Sequence, residues 1–156
     1  MRLEPLLAAV VGGRDVLQCL DQTRISSTYF AGPADMVAAI TTIGILRDTD
    51  ALAHIWRMGT ALQQGLRALI EEFSLQAEVV GFPPSPFLRF TAESDDIRAA
   101  LTREFFQRTT GGGVLFHPDH QWFVSAAHTM ADITFTLDVC REAMSMLAPA
   151  ATADQE

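Results

Sequence analysis

The sequence contains no lysine, because all 11 of its basic residues are arginine. Lysine normally ranks among the commonest residues of globular domains. Its side-chain amine is the protein group that forms Schiff bases with carbonyl compounds. The absence therefore excludes lysine-based chemistry carried out by this chain's own side chains.

Positive charge is scarce as well. The 11 basic residues are outnumbered by 19 acidic ones, which gives a net charge of −8. Proteins that bind nucleic acids neutralise the phosphates with clustered basic residues. We therefore expect neither DNA nor RNA among the partners.

Cysteine is rare. Cys19 and Cys140 lie far apart in the sequence and have neither the spacing of a metal or redox motif nor a disulfide framework. We predict that both are reduced and structural, as in a cytoplasmic protein.

Long apolar runs are missing. No stretch approaches the roughly 18 uninterrupted apolar residues that a membrane-spanning helix needs, so no membrane contact is expected. The 156 residues are 49% hydrophobic and suffice for one domain with a core. Exposed apolar patches usually mark interfaces, so this surplus favours a piece that packs against other polypeptide.

The first 32 residues differ from the rest. Residues 6–11 (LLAAVV) form a short apolar run before two glycines, which is typical of a strand buried on both faces. Residues 23–32 are rich in hydroxyl and small side chains and precede Pro33, which suits the first position of a helix. We interpret 1–32 as a strand and loop from a larger domain, 33–150 as a small domain and 151–156 as a disordered tail.

The strongest periodic signal lies in the predicted second helix, which follows the Asp48-Thr49-Asp50 cluster and runs to about Phe73. Its apolar residues recur at three- and four-residue steps: Leu52, Ile55, Trp56, Leu62, Leu66, Leu69, Ile70 and Phe73. This pattern predicts one long amphipathic helix.

Three further helices and four short strands complete the prediction. The helices begin at Pro33, after the N-cap Ser94 with an end near Arg108, and after a capping box of Thr129 with Asp132. The strands are predicted at 77–80, 87–90, 114–116 and 122–124. The fold class is therefore α/β, as an α+β small domain with a small, mainly antiparallel sheet and long helices on one face.

A hydroxyl cluster, Ser26-Ser27-Thr28, stands shortly before the helix that begins at Pro33. Hydroxyl donors, free backbone N–H groups and the helix dipole can together bind a phosphate. An ordinary serine-rich loop explains the same residues, since such clusters are common before helices. The residues alone leave both interpretations open.

Three histidines, His117, His120 and His128, lie close together in the sequence, with Asp119 between the first two. Such a group is compatible with a transition-metal site. Pro118 argues against a helical pair, however, and histidines in turns are commoner than metal ligands. We predict no metal.

Other polar residues give weaker signals. Ser125 and His128 resemble a nucleophile and a base, but the sequence has no Gly-x-Ser-x-Gly elbow and no orienting acid, so a hydrolase is not expected. Arg89 can meet a substrate carboxylate or simply face solvent. Gly111–Gly113 follows a helix and precedes a strand, the reverse of a nucleotide-binding loop, and is interpreted as a joint.

Three collinear segments resemble the class III aminotransferases that depend on pyridoxal phosphate, and within them the glutamate-1-semialdehyde aminomutase branch. Residues 5–13 (PLLAAVVGG) are similar to the strand that follows the cofactor lysine, and residues 27–36 (STYFAGPADM) to the family's Gly-Thr-x-x-Gly-Asn-Pro segment. Residues 113–116 (GVLF) through 123–129 (FVSAAHT) are similar to the branch's final strands and last helix. Gly32 and Ala31 depart from the usual asparagine and glycine.

The resemblance implies a fold-type I enzyme that is a homodimer and acts on an amine or amino acid. Thr28, with Ser27, would bind the phosphate of pyridoxal 5'-phosphate in the neighbouring subunit's site, and residues 1–32 would be a remnant of the large cofactor-binding domain. The Schiff-base lysine would precede Met1. Ser125–His128 stands where the ornithine-type branch has an arginine for the α-carboxylate, so a simple α-amino acid is less favoured as substrate.

Our leading interpretation is the C-terminal segment of an aminotransferase or aminomutase, inactive alone because it lacks the lysine. The alternative is a non-catalytic module derived from that family, which serves oligomerisation or partner binding. A small metal-dependent enzyme that uses the three histidines ranks last.

Overall fold

The computed structural model describes residues 11–23 and 33–152, without the side chains of residues 21 and 148–152. The predicted strand at 6–11 and the hydroxyl cluster with Ser27 and Thr28 lie outside the described residues, apart from position 11. The chain divides into two compact units, residues 1–50 and 51–156. The domain boundaries predicted at 32/33 and 150/151 stay predictions.

The first unit contains helices in its described part. Helix α1 spans Arg14–Leu17 and continues as a 3-10 turn over Gln18–Gln22. Helix α2 spans Pro33–Asp48 and starts at the predicted proline, whose fixed φ and missing N–H suit a first helical position. None of its residues is buried, although its sequence (PADMVAAITTIGILRD) is mostly apolar.

The described part of the second unit consists of three long helices and a hairpin. The helices are α3 over Ala51–Glu72, α4 over Asp95–Gly111 and α5 over Met130–Thr152. Strands β1 (Ala77–Phe82) and β2 (Ser85–Phe90) pair antiparallel around a two-residue Pro83-Pro84 turn, with Ala77 opposite Phe90. The predicted fold class is confirmed as mixed α/β with a small antiparallel sheet. No helix of the described part combines the length and apolar character needed to cross a membrane.

The core of this unit lies between the three helices and the hairpin. Its fully buried side chains include the following, drawn from all of these elements: Leu66, Leu88, Phe105, Cys140, Met144 and Leu147. Two glycines let α3 approach its neighbours closely, because a Cβ at Gly59 would strike Pro83 and one at Gly65 would strike Leu137. These contacts fix α3 against both the hairpin tip and α5.

The helix starts follow the predicted caps. The Ser94 hydroxyl accepts the N–H of Ile97 at 3.4 Å at the start of α4. At the start of α5 the Thr129 N–H donates to Asp132 Oδ2 at 2.7 Å, and Thr129 Oγ1 accepts the Asp132 N–H at 3.4 Å, which is the reciprocal bonding of a capping box.

The end of α4 was predicted too early. The helix continues past Arg108 to Gly111, and the chain turns only at Gly113, whose φ is +91°. Glycine adopts this left-handed region without steric cost. The triple glycine is thus a helix terminator, in keeping with its interpretation as a joint.

The predicted strands at 114–116 and 122–124 are wrong as regular strands. Residues 122–124 do run antiparallel to β2, with Trp122 N–H donating to Pro86 O at 2.8 Å and Val124 N–H to Pro84 O at 3.0 Å. An antiparallel pair normally returns a second bond from the partner's N–H, and proline has none. The segment is instead held by its side chains, because Trp122 stacks on Phe116 with ring centroids 3.8 Å apart.

Candidate functional site

The three sequence-predicted histidines come together around one pocket of the second unit. The pocket has a volume of about 440 Å³ and is bounded by residues 114–124, by His128 and by the first turns of α5. Most of its wall is apolar, with His117, His120 and His128 among its few polar residues. Pockets of this size hold small ligands in other proteins. Which ring nitrogens of the three histidines are free to bind a ligand depends on the hydrogen bonds that each ring already makes.

His117 acts as a hydrogen-bond acceptor inside its own turn. Its Nδ1 accepts the backbone N–H of Asp119 at 3.1 Å, and its carbonyl oxygen accepts the Trp122 indole N–H at 2.9 Å. A neutral imidazole carries one hydrogen, so a ring that accepts at Nδ1 carries that hydrogen on Nε2. His117 therefore has no free lone pair for a cation.

His128 is held in the same way. Its Nδ1 lies 3.0 Å from the backbone N–H of Ser125 and 3.0 Å from the Ser125 hydroxyl. Its carbonyl oxygen also lies 2.7 Å from Nε2 of His54 on α3. Sequence reasoning missed His54, because nothing in its helical context signals a partner 74 residues away.

His120 is the exception. Its Nδ1 lies 2.8 Å from the carbonyl oxygen of Gln121, which can only accept, so this nitrogen donates and Nε2 keeps its lone pair. Only one of the three rings therefore offers a metal-binding nitrogen. Within residues 11–23 and 33–152 no group of three potential ligands is placed to hold a metal ion. The metal hypothesis gains no support from this geometry.

Ser125 and His128 are in hydrogen-bond contact, as a nucleophile and base would be. The contact is local to a four-residue turn, and Nδ1 is shared with the Ser125 N–H. The acid of this region, Asp132, is bonded to Thr129 rather than to the imidazole. The pair therefore has the geometry of a turn and lacks the orienting carboxylate of a catalytic triad.

Arg89 is already bound to a carboxylate. Its Nε lies 2.5 Å from Glu78 Oε1 on the neighbouring strand, and both side chains are largely exposed. This is the directly opposed position in the hairpin register. The structure thus agrees with a solvent-facing strand arginine, and a substrate carboxylate would have to displace Glu78.

The fold has close counterparts among solved structures. FumI of Sphingopyxis sp. MTA144, solved as its PLP internal aldimine, superposes with a TM-score of 0.75 and 29% sequence identity over 92% of this chain and 34% of that one. An omega-transaminase from Sphaerobacter thermophilus superposes with a TM-score of 0.70 at 16% identity, which shows the fold alone.

Curated relatives agree with these structures. The aminopentol aminotransferase of Sphingopyxis macrogoltabida is 30% identical over 139 residues, or 89% of this chain and 32% of its own length. The 3-aminobutyryl-CoA aminotransferase of Cloacimonas acidaminovorans is 27% identical over 89% of this chain and 34% of its length. A glutamate-1-semialdehyde 2,1-aminomutase of Thermomicrobium roseum is 31% identical over 79% of this chain and 31% of its length.

The chain belongs to the class III pyridoxal-phosphate-dependent aminotransferases. It spans about a third of the length of the curated relatives that it matches and corresponds to their C-terminal part. The aminotransferases and aminomutases together confirm the predicted family and its cofactor, pyridoxal phosphate. No protein-family model matches the sequence.

The residues of this class III chain fit the cofactor only in part. With no lysine among its 156 residues, the chain has no side-chain amine for covalent attachment. Ser27 and Thr28, in a segment that the structure leaves undescribed, have the right chemistry for a phosphate. The first turn of α2, however, already carries Asp35, whose negative charge offsets the helix dipole there. A phosphate near this point would therefore depend on hydroxyl and backbone donors.

Proposed function

We propose that the chain forms the C-terminal part of a pyridoxal-phosphate-dependent aminotransferase or aminomutase and works together with a lysine-bearing polypeptide. One pair of facts carries this proposal. The chain matches the fold of FumI along nearly its whole length, yet it lacks the amine that would attach the cofactor. On its own it would therefore be inactive.

In this proposal Thr28 and Ser27 donate hydroxyl hydrogen bonds to the cofactor phosphate, in the active site of the neighbouring subunit of a homodimer. Residues 1–32 belong to the large domain and residues 33–150 to the small one. When bound, pyridoxal phosphate supplies the electron sink for moving an amino group. The substrate is an amine or an amino acid other than a simple α-amino acid, because no arginine stands at Ser125–His128 and Arg89 is paired with Glu78.

The second unit serves as a rigid frame in this assembly. Its three helices pack on the hairpin around a continuous apolar core. The ion pair between Arg141 on α5 and Glu72 on α3 adds a polar link at the surface. A frame of this kind holds neighbouring elements in fixed positions, which is what a domain next to an active site must do.

The test is reconstitution. The chain is co-produced with the lysine-bearing first two thirds of FumI, and cofactor absorbance and amino-group transfer are measured on the purified complex. We expect both to appear, and we expect Thr28→Ala to weaken cofactor binding while Thr28→Ser retains it. Thr42→Ala is the matched control, because the Thr42 hydroxyl donates to Ala38 O at 2.9 Å within α2. A soluble complex without cofactor or activity would contradict the proposal.

A second candidate function is supported by the exposure of α2. Val37, Ile40 and Ile43 are each at least 60% exposed, and such apolar surface usually marks an interface. The alternative proposal is a non-catalytic module that forms oligomers or binds a partner through this helix. It predicts a stable oligomer of the isolated chain by light scattering, lost in an Ile40→Glu variant, with no gain of cofactor binding in the reconstitution.

The proposed location is the cytoplasm. Cys19 and Cys140 are both free thiols, one exposed and one buried. Free thiols are the usual state in a reducing compartment. Recovery of the chain in the soluble cytoplasmic fraction, with both thiols reduced, tests this placement.

A further inference from the structure

The turn that leads into α5 is closed by two hydrogen bonds between the same two residues. The His128 backbone N–H donates to Ser125 O at 3.2 Å, and the Ser125 backbone N–H donates to His128 Nδ1 at 3.0 Å. In the second bond the acceptor of the Ser125 N–H is a titratable imidazole, whereas a backbone N–H is ordinarily bonded to a carbonyl oxygen. The turn therefore depends on the protonation state of one side chain.

A backbone N–H can only donate, so the Nδ1 that faces it must keep its lone pair. Protonation of His128 places a second N–H against that of Ser125, which breaks the bond and sets two donors face to face. We propose that His128 is a proton-sensitive latch on the start of α5, closed while the imidazole is neutral and opened when acid protonates it.

Two neighbouring groups oppose the opening. The Ser125 hydroxyl, 3.0 Å from Nδ1, can rotate and accept a hydrogen from the protonated ring. Asp132, in the first turn of α5, interacts electrostatically with His128 and favours its positive charge. Asp132 is exposed and already bonded to Thr129, so solvent screens its attraction. The backbone N–H of Ser125 cannot rotate away from Nδ1 as the hydroxyl can, so protonation of the ring breaks this hydrogen bond.

The remaining titratable groups near the ring do not stabilise the charged form. His54 on α3 bonds to the carbonyl oxygen of His128 rather than to its ring. His117 and His120 line the same pocket as His128. The Nδ1 of His117 accepts the Asp119 N–H and the Nδ1 of His120 bonds to the Gln121 carbonyl oxygen, so both of these atoms are engaged within their own turns.

Opening the latch affects three parts of the second unit at once. The bond between His128 O and His54 Nε2, 2.7 Å long, ties the turn to α3. The next residue, Thr129, caps α5 through Asp132. The ring of His128 is part of the wall of the 440 Å³ pocket. A proton on one imidazole thus loosens the α3 contact, the α5 cap and the pocket wall together.

The first test compares the 156-residue chain with His128→Asn, whose Oδ1 can accept the Ser125 N–H in place of Nδ1 but does not titrate. Thermal unfolding is measured at about pH 8 and at about pH 5.5, on either side of ordinary histidine titration. The wild type should lose about 2–4 °C more in Tm than the variant over this interval, the effect of one lost hydrogen bond in a chain of this size. His120→Asn, which changes a ring outside the turn, should behave like the wild type. Equal losses in the wild type and His128→Asn would overturn the proposal.

The second test needs no variant. Long-range proton–nitrogen correlation NMR of the wild type at about pH 8, above ordinary histidine titration, reports which imidazole nitrogen carries the hydrogen. We expect a bare Nδ1 and a protonated Nε2 on His128, and a Ser125 amide resonance that moves with the same midpoint as the ring when acid is added. A hydrogen on Nδ1 at the higher pH, or a Ser125 amide that ignores the ring's titration, would refute the latch.

Discussion

Gly59 of α3 lies directly against the backbone of Pro83 at the tip of the hairpin. A Cβ at position 59 would stand 1.8 Å from the carbonyl oxygen of Pro83. Both partners are backbone, so neither can rotate away, and the hairpin must shift to admit a side chain. This contact fixes where the sheet meets the helix.

Gly59→Ala is therefore expected to lower the free energy of unfolding by about 1–3 kcal/mol, the usual cost of overpacking. Urea unfolding followed by circular dichroism measures the loss. The matched control is Gly111→Ala in α4, where an added Cβ meets nothing within 4 Å. Alanine is the better helix former, so this control should be neutral or slightly stabilising. A similar loss in both variants would contradict the assigned contact.

Gln63→Leu should also destabilise the chain. Gln63 is only 4% exposed, and its Nε2 donates to Gly81 O at 3.0 Å on the outer edge of β1. Leucine leaves that carbonyl without its donor, at a cost of about 1–3 kcal/mol. The adjacent Gln64 is exposed, so Gln64→Leu should change the free energy of unfolding by less than about 0.5 kcal/mol. Equal effects at the two positions would argue against the bond to β1.

Cys140 should resist thiol reagents in the folded chain. Burial raises the pKa of the Cys140 thiol to about 12, so almost no reactive thiolate exists near neutral pH. Cys19 is exposed. Disulfide-exchange labelling at about pH 8 should therefore modify one thiol per native chain and two after denaturation. In Cys19→Ser native labelling should vanish, and rapid labelling of the remaining thiol would show that Cys140 is accessible.

The pKa of Asp132 should lie below its ordinary value. The Thr129 hydroxyl and then the Thr129 backbone N–H, each donating to Oδ2 at 2.7 Å, stabilise the charged carboxylate. A depressed folded pKa means that the contribution to stability is present above the unfolded-state pKa and is lost as the pH falls through the lower folded value. Carboxyl carbon NMR titration measures it. Thr129→Val should raise the pKa of Asp132 and Thr129→Ser should not; no rise with valine would show that the hydroxyl is not the cause.

The helices were predictable because their apolar residues recur with the helical period. In α5 the apolar residues at three- and four-residue steps are Ile133, Leu137, Cys140, Met144 and Leu147; all are buried except Leu137, which is half-buried. In α3 the middle of the predicted stripe is buried, but Leu52 and Trp56 are 48% and 44% exposed in the described structure. Periodicity identifies a face of a helix and contains no information about how far along it the neighbours extend.

The sequence predicted which residues form the candidate site but could not predict the hydrogen bonds that they make. The sequence singled out His117, His120 and His128, and the fold brings them to one pocket. Which nitrogen of each ring is free depends on backbone N–H groups that reach the rings only after the turns form. Ser27 and Thr28 stood out in the sequence as part of a hydroxyl cluster, the family resemblance supplied their role, and that role stays a prediction.

The prolines of the hairpin have a consequence for how the sheet can grow. On the outer side of the hairpin, the carbonyl oxygens of Pro84 and Pro86 accept hydrogen bonds, but neither proline has an N–H to donate in return. A third segment can therefore lie against this edge without forming a regular ladder. Residues 122–124 are therefore held by two one-way hydrogen bonds and by the packing of the Trp122 indole on the ring of Phe116. Because reciprocal backbone bonds are missing here, the aromatic packing of Trp122 carries more of the burden, and a smaller side chain at position 122 would loosen the segment.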